Sequence, residues 1–260
     1  MTADIRVAGP ARSARANKAV EHGIWGAVID GALVLPDSSS TFGVVEPATG
    51  REIARVVAGD AALVDQAVVS ARRAYETDWR NRSPRDRAAL LRALAEVIRA
   101  NADELEELET REVGKPRHIA ANDVRGCHSS FDYYAALADS LHGELLDHGL
   151  IQSHIIYEPY GVVAGVLPFN WPPSHFGKKS APALIAGNTI VLKPGEQAPL
   201  TALRLAEIAA GVLPQGVLNA VPGIDAGPAL VSHPLVSRVS FIGASATGRR
   251  VLAATAANVT

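Results

Sequence analysis

The chain has 260 residues, enough for one large domain or two small ones with a sizeable buried core. Its net charge of -2 at pH 7 gives no overall attraction to nucleic acid or to anionic membranes. Its apolar runs are too short or too interrupted to span a bilayer. The single cysteine, Cys127, excludes an intramolecular disulfide and fits a reducing compartment. Since no signal-peptide pattern is present, we expect a cytoplasmic protein that binds neither nucleic acid nor membrane.

The N-terminal segment is predicted to contain little regular structure. Residues 1–32 begin with a stretch rich in alanine and arginine, which is typical of a poorly ordered terminus. A targeting or nucleic-acid-binding tail is the alternative interpretation of these basic residues. From there to residue 59, closely spaced glycines and prolines indicate loops and short strands.

Helices are predicted to follow this segment. Apolar residues recur at helical spacing after Asp60, which is a good N-cap residue. Ser83 and the proline after it then begin a long helix that is expected to end at Gly114. A further helical stretch covers about 117–140. Beyond it, Gln152–Tyr157 are predicted to form one strand of a hairpin.

From residue 161 onward, strands and helices alternate along the chain. A helix is predicted after the first strand, ending near Ala186, another from Pro199 after the second strand, and a third from Gly248 onward. The predicted strands are Val162–Leu167, Thr189–Leu192, Leu218–Val221 and Val239–Phe241. This alternation predicts an α/β fold with a parallel, Rossmann-like sheet and right-handed crossovers. Ligands of such sheets bind beyond the carboxyl ends of the strands.

An asparagine follows the first of these strands, in the run Leu167-Pro168-Phe169-Asn170-Trp171-Pro172. Its uncharged amide can donate an N–H group to a developing oxyanion. One such donor is worth about 10²–10³ in rate in well-studied enzymes. The alternative interpretation is a turn asparagine that bonds its own backbone.

The second strand leads into Lys193-Pro194-Gly195-Glu196. A carboxylate near a strand end can accept hydrogen bonds from both hydroxyls of an adenosine ribose, and it would repel a 2′-phosphate. Gly195 would let the backbone approach such a ligand closely. An exposed loop salt bridge between Lys193 and Glu196 is the alternative interpretation.

The fourth strand leads into the segment Phe241 to Gly248, in which a glycine precedes the start of a helix. A helix N-terminus with a glycine in front of it is a natural phosphate-binding site. The G-x-x-x-x-G spacing differs from the usual Rossmann fingerprint, so an ordinary helix start is the alternative.

These segments, Pro168 to Pro172, Lys193 to Glu196 and Phe241 to Gly248, resemble the NAD(P)-dependent aldehyde dehydrogenase family. The resemblance implies that residues 33–260 form a coenzyme-binding domain with N-terminal helices. It also implies an oligomerisation strand near residues 150–160. In that family, a cysteine thiolate attacks the aldehyde, a hydride passes to NAD(P)⁺, and a water activated by a glutamate hydrolyses the thioester.

The resemblance also assigns roles to individual residues. Asn170 matches the asparagine that helps to hold the aldehyde oxygen. Lys179 matches a lysine expected to relay protons near the active site, although a solvated helix lysine is the alternative. The cofactor is expected to be NAD rather than NADP. The residues expected to contact it are Leu167, Pro168, Phe169, Lys193, Gly195, Glu196, Gly223, Gly227, Phe241, Gly243 and Ser245.

The chain departs from the family pattern in the phosphate-binding segment. Ile242 stands where the family usually has threonine, and Ala244 where it often has serine. Ser245 is expected to supply the missing hydroxyl. The histidines and the cysteine show no zinc spacing, so no metal site is expected. Cys127 lies upstream in a helical context and is predicted to be a small core residue.

The resemblance covers the N-terminal half of a full-length family member. It implies that the nucleophilic cysteine and the general-base glutamate would come after Thr260. We therefore expect a truncated aldehyde dehydrogenase that is inactive alone. Its expected partners are a missing C-terminal half or further copies of itself, with an aldehyde as the substrate of the complete enzyme. The alternative is a non-catalytic nucleotide-binding or oligomerisation remnant.

Overall fold

The computed structural model describes residues 24–36, 40–140 and 142–256. The strands, in chain order, are β1 (Ile24–Trp25), β2 (Ala27–Ile29), β3 (Ala32–Val34), β4 (Thr41–Glu46), β5 (Arg51–Val57), β6 (Glu144–Asp147), β7 (Gln152–Ile155), β8 (Val162–Val166), β9 (Thr189–Lys193), β10 (Leu218–Ala220) and β11 (Val236–Phe241). The helices are α1 (Ala61–Thr77), α2 (Pro84–Ala100), α3 (Ala102–Val113), α4 (Arg117–Ala136), α5 (Pro172–Ile185), α6 (Leu200–Ala210), α7 (Ala226–Val231) and α8 (Ser245–Thr255).

A six-stranded sheet with the order β11-β8-β9-β10-β2-β3 forms the centre of the fold. Strands β11, β8, β9 and β10 are parallel to one another, and helices connect them along the chain. The predicted α/β fold is therefore confirmed. The sheet is mixed rather than wholly parallel, because the N-terminal ribbon β2–β3 pairs antiparallel with β10.

The two faces of this sheet pack against different helices. Side chains alternate between the faces along a strand. Val163 and Ile190 accordingly belong to the core cluster that includes residues of α2, α4, α5 and α6. Ala164 and Val191 belong to the cluster formed with α1 and α7. Since both faces are covered, the central strands are continuous apolar runs.

The N-terminal boundary differs from the prediction. Strands β1, β2 and β3 begin before residue 33, and Ala27, Val28 and Ile29 are buried in the sheet. The predicted poorly ordered segment is therefore wrong for residues 24–32. The reason is a short apolar run that pairs with β10, a partner almost 200 residues away that local sequence patterns do not show. Residues 1–23 lie outside the described part of the chain.

Two helices begin at the cap residues that the sequence predicts. The Asp60 side chain accepts a hydrogen bond from Leu63 N, and Ser83 forms a capping box with Asp86, as expected for these residues. The prediction of a single helix from Ser83 to Gly114 is wrong, because the helix is interrupted at Asn101, which separates α2 from α3. The Asn101 amide donates to Val97 O at 2.7 Å, a local bond that competes with helix continuation.

The remaining elements agree with the predicted pattern apart from their ends. Helix α4, the β6–β7 hairpin and the four parallel strands lie where they were predicted. The short helix α7 was not predicted, and α8 begins at Ser245 rather than at Gly248. None of the helices in the described ranges combines the length and the hydrophobicity that crossing a membrane requires.

Candidate active and coenzyme site

The predicted site segments converge at one edge of the central sheet. The parallel register pairs Val166 of β8 with Lys193 of β9 on one side and with Phe241 of β11 on the other. These three strands therefore end side by side. Directly after the end of β8, Leu167 N donates to the oxygen of Lys193, the last residue of β9, at 2.9 Å. A main-chain hydrogen bond thus links the two loops at the points where they leave β8 and β9.

The loop after β8 carries the predicted oxyanion donor. Leu167 is buried, whereas Phe169, Asn170 and Trp171 are exposed. Within the described residues, the side-chain amide of Asn170 makes no hydrogen bond. The alternative of a turn asparagine bonded to its own backbone is therefore not what the structure shows. The main-chain oxygen of Asn170 accepts a hydrogen bond from Lys115 Nζ at 2.9 Å. Lys115 directly follows Gly114, where the helix is predicted to end, and no sequence motif marks it.

Gly195 brings the two loops into contact. A Cβ atom at this position would lie 2.9 Å from Phe169 N and 3.1 Å from the carbonyl carbon of Pro168. Both distances are too short for a side chain against rigid backbone. The sequence suggested that Gly195 admits a ligand, and the structure shows that it admits the neighbouring loop of the protein itself.

Lys193 and Glu196 form an ion pair. Lys193 is buried and its Nζ donates to a Glu196 carboxylate oxygen. The Glu196 side chain is 30% exposed, so its carboxylate can still meet a ligand. Gly227, in α7, lies beside the lysine stem, where a Cβ would be 3.9 Å from Lys193 Cδ. The predicted salt-bridge alternative is thus present, but it is largely buried and holds the carboxylate in a fixed place.

A cleft of about 530 Å³ adjoins this carboxylate. Glu196, Phe169 and Ala198 form part of its lining, together with Phe42 of β4 and with Glu112, near the end of α3. The sequence analysis did not identify the last two. They come from distant parts of the chain, and no local motif marks them.

Glu112 anchors the helix that follows Glu196. Its buried carboxylate accepts hydrogen bonds from Leu200 N at 2.6 Å and from Thr201 N at 2.8 Å. These are first-turn N–H groups of α6, which has no side-chain cap of its own. Burial raises the pKa of Glu112 to about 7, although the hydrogen bonds from residues 200 and 201 oppose that effect. The carboxylate thus fixes the far end of the loop that begins at Lys193.

The loop after β11 is shaped by its own aromatic ring. A Cβ at Gly243 would lie 2.6 Å from the ring of Phe241, and one at Gly248 would lie 3.4 Å from it. Gly243 therefore makes room for the ring, whereas a side chain at Gly248 would only touch it. The first turn of α8 has no side-chain cap, and Ser245 is exposed at its first position. Within the described residues, no side-chain cap bonds to the N–H groups of this turn, which leaves them able to bind an anion.

Gly223 serves the packing of the turn after β10. Its φ of 125° lies in a region that favours glycine. A Cβ there would lie 2.5 Å from the nitrogen of Gly59, whose N–H group donates to Pro222 O at 2.8 Å. This glycine is therefore required by the contact between two loops.

Lys179 is buried, not solvated. Its Nζ donates to Ser240 Oγ of β11 at 2.9 Å, and its stem passes over Gly165 of β8. The side chain therefore joins α5 to the edge strand of the sheet. Burial lowers the pKa of Lys179 to about 8.

Cys127 is a core residue, as predicted. It is fully buried in α4, and a Cβ at Gly177 of α5 would lie only 2.8 Å from its main-chain oxygen. Burial raises the pKa of the Cys127 thiol, which disfavours the thiolate that a nucleophile needs. Among the residues that the structure describes, no group of three His, Cys, Asp or Glu side chains is placed to hold a metal ion.

The variant Lys179→Met tests whether burial lowers the pKa of this lysine. The folded-state pKa of about 8 lies below the unfolded value of about 10.4. Between these two values the unfolded chain binds more protons than the folded chain. The contribution of Lys179 to the free energy of unfolding therefore rises with pH in this window. Lys179→Met is expected to remove that rise, as measured by urea denaturation at pH 7 and pH 10.

Lys178→Met is the matched control, because Lys178 is the exposed neighbour on the same helix. We expect this variant to keep the pH dependence of the wild type. If Lys179→Met and the wild type showed the same pH dependence, the lowered pKa would be wrong.

Comparisons with known proteins support the resemblance seen in the motifs. A family model described as "Aldehyde dehydrogenase family" matches residues 34–260. Aldehyde dehydrogenase citD of Monascus ruber is 45% identical over 228 residues, which cover 86% of this chain and 45% of that protein. The NADP/NAD-dependent aldehyde dehydrogenase PuuC of Escherichia coli is 39% identical over 233 residues, covering 86% of this chain and 46% of that protein.

A solved structure gives the same result. Betaine aldehyde dehydrogenase of Staphylococcus aureus, a Y450L mutant in complex with NAD⁺, superposes with a TM-score of 0.88 at 33% identity. The match covers 93% of this chain and 50% of that one. The chain spans about half the length of the curated relatives it matches. Since the family model covers most of the chain, the protein belongs to the aldehyde dehydrogenase family, an oxidoreductase family with an NAD(P)-binding fold.

Proposed function

We propose that this chain forms the coenzyme-binding part of an NAD-dependent aldehyde dehydrogenase that oxidises an aldehyde to a carboxylic acid. One observation carries the proposal: the loops bearing Asn170 and Glu196 pack against each other at the ends of adjacent strands. A donor for an oxyanion and an acceptor for ribose hydroxyls thereby share one edge of the sheet. Ligands of open α/β sheets bind at this edge.

The residues at this edge suit a dinucleotide. The Glu196 carboxylate, held by Lys193 and still partly exposed, can accept hydrogen bonds from the two ribose hydroxyls. Its negative charge favours NAD over NADP, since it would repel a 2′-phosphate. The uncapped first turn of α8 and the Ser245 hydroxyl can bind the pyrophosphate. The bound nicotinamide would supply the hydride acceptor.

Asn170 and Lys179 would serve the aldehyde chemistry. The unbonded amide of Asn170 can donate to the aldehyde oxygen as that oxygen gains negative charge. Lys179, with a pKa lowered to about 8 by burial, can exchange a proton near neutral pH. Its bond to Ser240 gives that proton a hydroxyl partner at 2.9 Å.

The thiolate of the family mechanism is not provided by Cys127, which is the only cysteine of the 260 residues and is fully buried. We therefore propose that residues additional to these 260 supply the nucleophile and the general base. The burial of Cys127 also favours a second candidate function, an NAD-binding module without catalysis. A cytoplasmic location fits a chain whose one thiol is reduced and enclosed.

Removing the Glu196 charge tests the cofactor assignment. We expect Glu196→Gln to weaken NAD binding by about tenfold or more, because hydrogen bonds to a charged group are lost. The preference for NAD over NADP should shrink in the same variant, since the repulsion of the 2′-phosphate is removed. Isothermal titration calorimetry with both cofactors measures the two effects.

Glu96→Gln is the control, because Glu96 is an exposed carboxylate of α2 that lies outside the proposed site. It should bind NAD like the wild type. Equal affinity for NAD in Glu196→Gln and the wild type would contradict the ribose-binding role of Glu196.

Complementation separates the enzyme from the binding module. We expect co-expression with the C-terminal half of citD to restore NAD-dependent aldehyde oxidation, measured by absorbance of NADH. Asn170→Ala in this complex should lower kcat by about 10²–10³, the effect of one oxyanion donor, and leave the affinity for NAD unchanged. Binding of NAD without any activity in the complex would support the non-catalytic alternative.

We also propose that the β6–β7 hairpin joins copies of this chain into a homo-oligomer. The strand β6 is exposed along its whole length, and the hairpin bears the exposed apolar residues Leu145, Leu146, Leu150 and Ile151. Apolar patches of this kind mark interaction sites, and an exposed strand edge can pair with another.

Charge on the hairpin tests this interface. Ile151→Asp is expected to shift the chain toward the monomer in analytical ultracentrifugation, because a carboxylate would be desolvated in the interface. Val69→Asp, at an exposed position of α1, is the control and should keep the wild-type mass. A wild-type protein that stays monomeric at high concentration would contradict the interface.

A further inference from the structure

A buried ionic cluster lies directly behind the proposed oxyanion donor. Lys115 Nζ donates to Glu109 Oε1 at 2.7 Å, to Asp123 Oδ2 at 2.6 Å and to the main-chain oxygen of Asn170 at 2.9 Å. An ammonium group has three protons, so these bonds use all of them. The cluster therefore joins α3, α4 and the loop after β8 through one nitrogen atom.

The members of this cluster are shielded from solvent. The side chains of Lys115, Glu109 and Asp123 are 10%, 0% and 15% exposed. Burial raises the pKa of Glu109 to about 8, and the hydrogen bond and charge of Lys115 oppose that effect. Charge-assisted hydrogen bonds in such surroundings are short and strong. The ammonium is consequently held in one place.

A second bond ties the same loop to α4. Ser174 Oγ, in the first turn of α5, lies 3.3 Å from Asp123 Oδ1. Asp123 therefore contacts both Lys115 and the helix that follows the loop. Lys115 therefore holds the chain at Asn170, and Asp123, which is bonded to Lys115, holds it at Ser174.

The same stretch of α3 also supports the loop that carries Glu196, the proposed ribose-binding residue. Glu112, one turn after Glu109, fixes the start of α6, which follows Glu196. The few residues from Glu109 to Lys115 thus hold the loops on both sides of the site. Lys115 bonds to the loop of Asn170 and Glu112 bonds to the start of α6, so the two loops have separate supports.

We propose that Lys115 is a positioning residue that fixes the main chain of Asn170, so that only the χ angles of its side chain remain to be set. This inference rests on the proposed role of Asn170 as the oxyanion donor. The bond to the main-chain oxygen holds the peptide plane and leaves the side-chain amide free. Misplacement of such a group by about 1 Å can cost about 10² in rate.

The test measures the order of the loop in two variants. Lys115→Met removes the three hydrogen bonds, and the triple variant Glu109→Gln, Lys115→Met, Asp123→Asn also removes the uncompensated carboxylates. The second variant keeps the test valid if the first fails to fold. We expect the backbone order parameters of Asn170 and Trp171, measured by ¹⁵N relaxation, to fall in both from about 0.85 to below about 0.6.

Lys178→Met is the matched control, since it removes an exposed lysine of α5 and no bond to the loop. It should keep the wild-type order parameters. In the complex with the C-terminal half of citD, Lys115→Met should lower kcat by about 10² and leave the KM for NAD unchanged. A change in stability alone would not produce that division between kcat and KM.

The outcomes distinguish this proposal from the proposed function. Wild-type order parameters in the neutral triple variant would overturn the positioning role, because Lys115 would then only neutralise two carboxylates. Absence of NAD binding by the wild type would contradict the coenzyme function instead. Disorder of the loop in the triple variant, with NAD affinity retained, supports both.

Discussion

The site depends on the hydrogen bond from Leu167 N to Lys193 O, which continues the β8–β9 ladder one residue past the end of β8. It fixes where the two loops leave the sheet, and Gly195 then brings their backbones together. The register behind it is enforced by burial on both faces of the sheet. A slip of one residue would send Val163 and Ile190 to the face that now holds Ala164 and Val191. Packing far from the site therefore sets the separation between the loop of Asn170 and the loop of Glu196.

Around that bond the protein buries charges that a purely hydrophobic core would avoid. Glu109, Glu112, Lys179 and Lys193 are all buried, and desolvation of such groups is offset only by well-placed hydrogen bonds. Apolar replacements of similar volume are often neutral or stabilising in other proteins. Two of these residues instead join separate elements, since Glu112 bonds α3 to α6 and Lys179 bonds α5 to β11. The charges thus contribute orientation, which dispersion and hydrophobic contacts cannot specify as sharply.

Local patterns predicted the fold well because its determinants are local. Caps at Asp60 and Ser83 and the alternation of strands and helices are properties of short windows. The bonds that complete the site are not. Lys115 reaches Asn170 across 55 residues, and Glu112 reaches Leu200 across 88. In sequence, Lys115 is only the residue after the predicted helix end at Gly114, so no propensity or spacing could identify its role.

Because Lys193 and Glu196 form an ion pair, any preference between NAD and NADP would depend on the geometry of the pair rather than on its net charge. The pair is formally neutral, so its sum neither attracts nor repels a 2′-phosphate. Its members differ in exposure: the Lys193 side chain is 6% exposed and that of Glu196 is 30% exposed. A ligand approaching the edge of the sheet therefore meets the carboxylate first, with the ammonium behind it. If Glu196 turned away, the same lysine would offer a phosphate its cation. In the proposed coenzyme site, the contacts that hold this loop, at Gly195 and at Glu112, would favour ribose hydroxyls over a phosphate by keeping the carboxylate in front.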